Sequence, residues 1–239
     1  MLLHALACTG LLTWYPSLDA LRARYRVVVF HQRWHGQGIR ASRFDLADCA
    51  DDVLAVADAL GVDWFVTAGY SMGSLVAPLA WHRHPDRVRG LVLCASATHF
   101  AQTPGPARRV LAVSARLAAL AERERRALAA EFDHRVDDDW AWRQFRATTG
   151  RAVTAAGAVI SRHDSRSWIG EVAVPTAVVV TSRDRIIPAE RQRALARLIP
   201  GATVYEADAG HASCVLNAAK FRPALLAACA SVTNRLAPR

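Results

Sequence analysis

The feature of this sequence that most constrains its fold is an alternation of two patterns along the chain. Short Val-rich runs bounded by polar residues or Gly predict strands, at 24–30, 64–70, 88–96, 174–182 and 202–208. Amphipathic stretches predict helices, at 16–24, 44–60, 74–85, 188–199 and 221–236. Strands that alternate with helices predict an α/β fold, with a mostly parallel sheet and helices on both of its faces.

One long segment interrupts this alternation. Residues 100–170 contain no convincing strand and have helical patterning, the longest stretch of it at 106–132. We therefore predict that residues 1–99 and 171–239 form the core and that 100–170 is a helical cap, or lid, inserted between two strands. A set of ordinary packing helices is the alternative interpretation.

The composition excludes several classes of protein. The formal charge of +9 comes from arginines spread along the chain, without a basic block interleaved with aromatics, so we expect no nucleic-acid partner. The apolar runs are too short to span a membrane, and the start "MLLHALACTG" is not typical of a signal peptide. The 5 cysteines are widely spaced and odd in number, which predicts free thiols and a cytoplasmic location.

The stretch "VTAGYSMGSLVAPLAW" at 66–81 carries the strongest chemical signal. Ser71 lies between Gly69 and Gly73 where a predicted strand gives way to a predicted helix. A G-x-S-x-G turn in that context holds a serine hydroxyl clear of the backbone at the carboxyl end of a sheet. A serine is a weak nucleophile, however, and needs a base and donors for the oxyanion that forms. Ser71 is therefore a candidate nucleophile only if the chain supplies these partners.

Two candidate partners follow two later strands. Asp184 comes after the strand at 174–182 and His211 after the strand at 202–208, so both are expected at the same sheet edge as Ser71. We predict that His211 is the general base and that Asp184 holds its tautomer. Asp208 is a rival acid, but it lies close to His211 in the chain. Alternatively, Asp184 caps a helix or pairs with a neighbouring arginine, and His211 is a surface loop histidine.

Five stretches carry a resemblance to a known family. They are "HALACTG" (4–10), "HQRWHGQGIR" (31–40), "GYSMGS" (69–74), "RDRIIP" (183–188) and "AGHAS" (209–213). In this order and strand context, the chain resembles the α/β-hydrolase fold superfamily, and within it the lid-bearing esterase-like members. The resemblance covers nearly the whole chain.

The resemblance also implies an oxyanion hole built from two backbone amides. These are the N–H of Met72, directly after the nucleophile, and the N–H of Leu6 in "HALACTG". The segment Thr9-Gly10-Leu11 is a second candidate for the latter. Ala5 stands where relatives have Gly, which could misplace the Leu6 donor. Only three residues precede this motif, so we expect a form extended upstream by about 25 residues, a length set by typical strands and their turns, to be more stable and more active.

A further departure from the family lies in "HQRWHGQG". His31 and Trp34 replace the Asp and first Gly that relatives have there. His31, Arg33 and His35 are expected near the site, but no carboxylate or thiolate is in register with them, so we predict structural hydrogen bonding and no metal.

These observations favour a serine hydrolase acting on a small-molecule carboxylic ester or thioester with a small-to-medium apolar acyl group. Trp140 and Trp142 of the cap are candidate substrate-binding residues, and no cofactor is needed. A lyase, an enol-lactonase, a perhydrolase or an acyltransferase could use the same three residues. A ligand-binding protein with impaired catalysis is the non-enzymatic alternative.

Overall fold

The computed structural model of the chain describes residues 1–100 and 138–236. The predicted helix at 106–132 lies outside these residues. Within them, five strands form one sheet in which every pair of neighbours is parallel. In spatial and chain order they are β1 (Leu2–Leu3), β2 (Phe65–Tyr70), β3 (Val88–Cys94), β4 (Thr176–Thr181) and β5 (Thr203–Ala207). The predicted α/β fold with a mostly parallel sheet is therefore confirmed.

Helices cover both faces of this sheet. The described helices are α1 (Gly10–Arg22), α2 (Leu46–Ala59), α3 (Gly73–Arg83), α4 (Asp138–Arg146), α5 (Gly150–Ile160), α6 (Ala189–Leu198), α7 (Ser213–Leu216) and α8 (Ala218–Asn234). A short 3₁₀ turn at Ile169–Glu171 precedes β4. In the part of the chain that the structure describes, no helix is both long and apolar enough to cross a membrane.

The two faces of the sheet bury separate clusters of side chains. Successive residues of a strand point to opposite faces, so Leu91 and Leu93 pack towards α2, α3 and α6, whereas Val92 and Cys94 pack towards α1 and α8. These four side chains are fully buried. Burial of a Leu or Val side chain contributes about 1.5–3 kcal/mol to the free energy of folding, so the central strands stabilise the scaffold strongly.

The prediction of a strand at 24–30 is wrong in extent. Only Val29 forms a bridge, parallel to Leu2, and the N–H of Leu2 donates to the carbonyl of Val28 at 2.9 Å. A strand is defined by its pairing, and β1 offers only two residues to pair with on that side. The Val-rich pattern at 24–30 therefore runs beside the sheet without becoming a full member of it.

Two helices begin earlier than predicted. The helix predicted at 16–24 begins at Gly10, because Thr9 caps it by accepting from the N–H of Leu12 at 3.1 Å. Pro16 then lies inside α1. The helix predicted at 221–236 begins at Ala218 and contains Pro223. In both cases Pro lies beyond the first turn, where it removes one backbone hydrogen bond of the helix, and it does not mark the start of the helix.

Two described parts of the segment between β3 and β4 lie side by side. His99 and Asp164 form an antiparallel bridge, and the N–H of Ser165 donates to the carbonyl of Thr98 at 2.8 Å. The described part between them contains α4 and α5, as helices were predicted there. A lid function for this insertion stays a prediction.

Candidate active site

Ser71 lies in a sharp turn between β2 and α3. Its φ is 51°, a left-handed conformation that costs a residue with a side chain about 1–2 kcal/mol. The flanking glycines have a steric reason. A Cβ on Gly69 would lie 2.2 Å from the carbonyl oxygen of Gly73, and a Cβ on Gly73 would lie 2.2 Å from that of Leu3. Neither position can carry a side chain without moving the backbone.

The turn is braced from below by Ser74, which is buried. Its Oγ lies 2.6 Å from the carbonyl oxygen of Gly69 and accepts from the N–H of Cys94 at 2.9 Å. The N–H of Ser71 donates to the carbonyl of Cys94 at 2.9 Å. These bonds join the turn to the end of β3, so the strained conformation is held by its surroundings. The amino terminus of α3, which favours negative charge, begins directly after Ser71.

The structure brings Ser71, His211 and Asp184 into one line of hydrogen bonds. Ser71 Oγ lies 2.9 Å from His211 Nε2, and His211 Nδ1 lies 2.7 Å from Asp184 Oδ2. The carboxylate can only accept, so Nδ1 carries the proton and Nε2 is left to accept from the serine hydroxyl. Ser71 follows β2, Asp184 follows β4 and His211 follows β5, all at the carboxyl edge of the sheet.

Asp184 receives hydrogen bonds at both carboxylate oxygens. Oδ1 accepts from the N–H groups of Ile186 and Ile187 at 2.8 and 2.9 Å. Oδ2 accepts from the hydroxyl of Thr181 at 2.8 Å and the amide of Gln192 at 3.3 Å, in addition to His211. Burial alone would raise the pKa of Asp184, but His211 and the two backbone N–H groups outweigh it and lower the pKa. The side chain is therefore an anion that also caps its own turn.

The rival acid, Asp208, is directed elsewhere. It is exposed and forms an ion pair with Arg183, with one bond of 2.8 Å from Arg183 Nη2 to Asp208 Oδ2. Lys220 Nζ lies 3.4 Å from the same oxygen. Arg183 thus pairs with Asp208, and among the described residues the carboxylate of Asp184 contacts His211 and no arginine.

The two amides predicted for the oxyanion hole belong to residues near Ser71 in the fold. Met72 is buried at the start of α3, and Leu6 lies in the loop between β1 and α1. Among the described residues, neither N–H has a hydrogen-bond acceptor. The rival segment Thr9-Gly10-Leu11 instead caps and begins α1.

The loop that carries Leu6 is defined here as residues 4–9, the β1–α1 loop. Ala7 has a φ of 65°, which is unfavourable for a residue with a side chain. Ala5 donates its N–H to Thr13 Oγ1 at a long 3.3 Å, and its carbonyl accepts from the N–H of Cys8 at 3.3 Å. Thr9, which ends the loop, donates from Oγ1 to Gln144 Oε1 of α4 at 2.7 Å. The loop is thereby linked to the insertion.

A buried histidine supports the same loop. His4 Nε2 accepts from the N–H of Gln32 at 2.9 Å, and Nδ1 donates to the carbonyl of Ala5 at 2.8 Å. Together these bonds fit only the neutral ring. Burial, with a smaller effect of His35, holds the pKa of His4 well below its usual value.

His35 is also fully buried, with its ring centroid 5.1 Å from that of His4. Its Nδ1 donates to the carbonyl of Arg33 at 3.0 Å, while Nε2 has no partner among the described residues. Burial lowers the pKa of His35 to about 4. Arg33 is directed away and donates to Asp52 at 2.7 Å and to Asp48 at 2.9 Å. 

His31 accepts at Nδ1 from the N–H of Gln37 at 2.9 Å. Trp34 adopts a φ of 66°, in the left-handed region that favours Gly, and its ring packs beside Arg151 of α5. Within residues 1–100 and 138–236, no group of three or more His, Cys, Asp or Glu side chains is placed to hold a metal ion.

The two tryptophans predicted to bind substrate differ in their surroundings. Trp140 packs edge-on against Tyr15 of α1, with centroids 5.3 Å apart. Trp142 stacks on Phe145 at 5.7 Å and is 38% exposed. Residues two apart on a helix project about 200° apart, so the two rings face different sides of α4. Their role in substrate binding stays a prediction.

Sequence reasoning missed three side chains that hold the site together. Thr181 and Gln192 contact the carboxylate of Asp184, and Tyr70 contacts the backbone of His211. Tyr70 and Thr181 lie in strand positions predicted as buried, where a hydroxyl needs a partner. The sequence therefore indicates that each hydroxyl has a hydrogen-bond partner, but it does not identify that partner.

Comparison with known proteins agrees with this architecture. Residues 1–218 match the family described as alpha/beta hydrolase fold. The chain is 27% identical to 3-oxoadipate enol-lactonase 1 of Acinetobacter baylyi over 72% of this chain and 66% of that protein. It is 27% identical to the pimeloyl-[acyl-carrier protein] methyl ester esterase of Chromobacterium violaceum over 81% of this chain and 80% of that protein.

A solved structure extends the comparison in three dimensions. The enol-lactonase from Burkholderia xenovorans superposes with a TM-score of 0.77 at 24% identity, covering 96% of this chain and 90% of that one. At this identity the likeness supports the fold alone. Because the family match spans most of the sequence, the chain belongs to the alpha/beta hydrolase fold family, and hydrolase is the enzyme class that the two curated relatives share.

Proposed function

We propose that this chain is a serine hydrolase that cleaves the carboxylic ester or thioester bond of a small-molecule substrate with a small-to-medium apolar acyl group. The observation that carries the proposal is the continuous line from Asp184 through His211 to Ser71, with distances of 2.7 and 2.9 Å. A base within hydrogen-bond reach of the nucleophile, itself oriented by an acid, is the arrangement that activates a serine.

In the first half of the reaction, Ser71 Oγ forms a bond to the substrate carbonyl carbon and its proton passes to His211 Nε2. The C–O double bond becomes a single bond to an oxyanion. When this intermediate collapses, the bond to the leaving oxygen or sulfur breaks, and His211 returns the proton to that atom. The alcohol or thiol departs and the acyl group stays on Ser71.

The oxyanion needs donors that are fixed before the reaction begins. The N–H groups of Leu6 and Met72 are the proposed donors, and neither has another acceptor among the described residues. The amino terminus of α3 adds a favourable field at the same place. Loss of one such donor typically costs about 10²–10³ in kcat.

In the second half, His211 takes a proton from a water molecule that attacks the acyl carbon. The bond between that carbon and Ser71 Oγ breaks, Ser71 regains its proton from His211, and the carboxylic acid departs. Asp184 remains an anion throughout, since its pKa is lowered, and it stabilises the protonated imidazole in each half. No cofactor takes part in these steps.

The insertion is proposed to act as a lid over this site. Trp140 packs on Tyr15 of α1, and Gln144 bonds to Thr9 at the end of the β1–α1 loop. The insertion therefore reaches the core beside the proposed Leu6 donor. All 5 cysteines are free thiols, which supports a reducing compartment, and we place the protein in the cytoplasm.

A lactone is a second candidate substrate. One curated relative is named an enol-lactonase, and a lactone is an ester whose alcohol stays attached after ring opening. The same proton transfers serve both substrates, so Ser71, His211 and Asp184 do not distinguish them.

The test is hydrolysis of p-nitrophenyl esters of increasing acyl length, together with a γ-lactone and a δ-lactone. We expect the greatest kcat/KM at short to medium acyl length and none above background for Ser71→Ala. A fluorophosphonate should label Ser71 in the wild-type protein, as located by peptide mass spectrometry. Ser182→Ala, directly after β4 and outside the hydrogen-bonded line, is the matched control and should keep activity. Hydrolysis that survives Ser71→Ala would refute the proposal.

A further inference from the structure

Tyr70, the last residue of β2, contacts the backbone of His211 through its hydroxyl group. Its hydroxyl donates to the carbonyl oxygen of His211 at 2.8 Å and lies 3.1 Å from Ser213 Oγ. The side chain is fully buried. Because the phenol has one proton and His211 offers only an acceptor, the hydroxyl of Ser213 donates to Tyr70, and Tyr70 donates to His211.

Tyr70 and Ser71 therefore both contact His211, one at its backbone and the other at its side chain. Ser71 Oγ contacts the imidazole of His211, and the Tyr70 hydroxyl contacts the backbone of His211. The two hydrogen bonds join the end of β2 to the loop after β5, which lies about 140 residues later in the chain. The position of the histidine loop relative to the nucleophile is thus set by a bond that does not involve the imidazole.

The tyrosine ring is itself fixed by three aromatic neighbours. It packs edge-on against Trp14 at 6.4 Å and Phe221 at 5.2 Å, and the ring of His211 lies 6.1 Å away. Burial raises the pKa of the Tyr70 hydroxyl well above its usual value, so it stays a neutral donor. A rigid donor on the central sheet holds this partly buried loop in place.

We propose that Tyr70 is a positioning residue for proton transfer by His211. The inference rests on the proposed function of the site. Without the hydroxyl, the carbonyl of His211 and the hydroxyl of Ser213 lose a buried partner, and the loop gains freedom to move the imidazole away from the reacting atoms. A displacement of about 1 Å can cost on the order of 10²-fold in rate.

This role makes a prediction that general destabilisation does not make. An ethoxide leaving group must receive a proton from His211, whereas p-nitrophenolate can leave without one. Poor positioning of His211 should therefore slow an ethyl ester more than the p-nitrophenyl ester of the same acid. A loss of folded protein would lower both rates equally.

The experiment compares Tyr70→Phe with the wild-type protein on these two esters, using kcat/KM per active site counted by fluorophosphonate titration. We expect kcat/KM to fall by about 10-fold for the ethyl ester and by about threefold or less for the p-nitrophenyl ester. Both losses are smaller than the loss of about 100-fold that a displacement of the imidazole by about 1 Å can cause. Tyr205→Phe in β5 is the matched control. Tyr205 is half-buried and its hydroxyl has no hydrogen-bond partner among the described residues, so both rates should stay unchanged.

Ser213→Ala separates the two contacts of the tyrosine. It removes the 3.1 Å contact and keeps the bond between Tyr70 and His211. We therefore expect the logarithm of kcat/KM to fall by less than half as much as in Tyr70→Phe. Equal losses on both esters, or no loss on either, would overturn the inference. If Ser71→Ala abolishes hydrolysis while Tyr70→Phe is harmless, the proposed function stands and only the role of Tyr70 fails.

Discussion

The loop after β4 and the β1–α1 loop serve the same proposed site but are held in different ways. The carboxylate of Asp184 accepts from three side chains and two backbone N–H groups, and most of these bonds are between 2.7 and 2.9 Å. The β1–α1 loop has two bonds of 3.3 Å at Ala5 and an unfavourable φ at Ala7.

The difference shows how each part of the site obtains its rigidity. The acid is fixed by many short bonds to one charged group, so its position depends on that charge. The β1–α1 loop is fixed by what lies beneath and above it, namely neutral His4 and Gln144 of the insertion. We therefore expect the acid to respond to removal of its charge, and the loop to respond to changes in its supports.

Asp184→Asn should have the largest effect, because it removes the charge and keeps the shape. An amide group brings its own donors to a position surrounded by donors, and it no longer selects the tautomer of His211 that accepts from Ser71. We expect kcat to fall by about 10³- to 10⁴-fold and the melting temperature to fall as well. Steady-state kinetics and thermal unfolding measure both.

Asp208→Asn is the control for this variant. It makes the same chemical change in the exposed carboxylate that pairs with Arg183, and it should leave kcat within about twofold, as surface ion pairs contribute little. If the two variants lost activity equally, Asp184 would not be the acid of the site.

The central sheet and the order of the site residues could be predicted from the sequence. β2, β3 and β4 carry nearly continuous apolar runs, because both faces of these strands are buried, and Asp184 follows the last of them. β5 is partly exposed and alternates with polar residues, and His211 follows it. Pairing was less predictable at 24–30, where the pattern is right but β1 is too short to pair with it.

The supports of the site could not be predicted, because each depends on a partner far away in the chain. Tyr70 contacts His211, which lies 141 residues later, and Thr9 contacts Gln144, 135 residues later. A strand-end tyrosine or a cap threonine looks the same in the sequence whether or not it has such a partner. Only the folded arrangement of strands and insertion identifies these contacts.

Mild acid should destabilise the buried pair of His4 and His35 next to the β1–α1 loop before it affects Asp184. The pKa of His35 is about 4 in the folded protein, against about 6.5 for an unfolded histidine, so the unfolded chain binds more protons between these values. The stability that the neutral ring provides is thus lost as the pH falls from about 6.5 to 4, by roughly 1 kcal/mol at pH 5.5 for His35 alone. Because the pKa of Asp184 is lowered, its carboxylate keeps its negative charge until a more acidic pH.

The measurement is the melting temperature between pH 7.5 and 5.5 for the wild-type protein and His35→Asn. The variant should be less stable at pH 7.5 but show a shallower decline towards acid. His82→Asn changes an exposed histidine of α3 and should keep the wild-type slope. Parallel curves for all three proteins would rule out His35 as a source of acid sensitivity.

Substitution at Ala7 tests the strain in the β1–α1 loop directly. Ala7→Gly relieves the cost of the φ of 65° but removes a buried methyl and adds freedom to the unfolded chain. These effects nearly cancel, so we expect the free energy of unfolding to change by less than about 0.5 kcal/mol. Ala7→Val should destabilise by about 2 kcal/mol, because a β-branched side chain tolerates this conformation poorly.

Ala194→Gly in the middle of α6 is the matched control, since its backbone is helical. There the same change should cost about 0.5–1 kcal/mol. Urea unfolding of the three variants gives the comparison. Equal destabilisation by the two glycine variants would mean that the left-handed conformation at Ala7 stores no strain.

The smallest expected effect concerns the bond between Thr9 and Gln144, which supports the β1–α1 loop from the insertion. Gln144→Met keeps the length of the side chain but removes the acceptor at 2.7 Å, whereas Gln144→Glu keeps an acceptor oxygen. A hydrogen bond of this kind contributes about 0.5–1.5 kcal/mol, and Thr9 still caps α1 without it. We expect Gln144→Met to lower kcat/KM by about twofold to threefold, the rate equivalent of about 0.5 kcal/mol, by loosening Leu6. Gln144→Glu should restore most of this loss. If the Met variant matched the wild-type protein in both stability and kcat/KM, the insertion would not support the loop, and its rigidity would come from His4 alone.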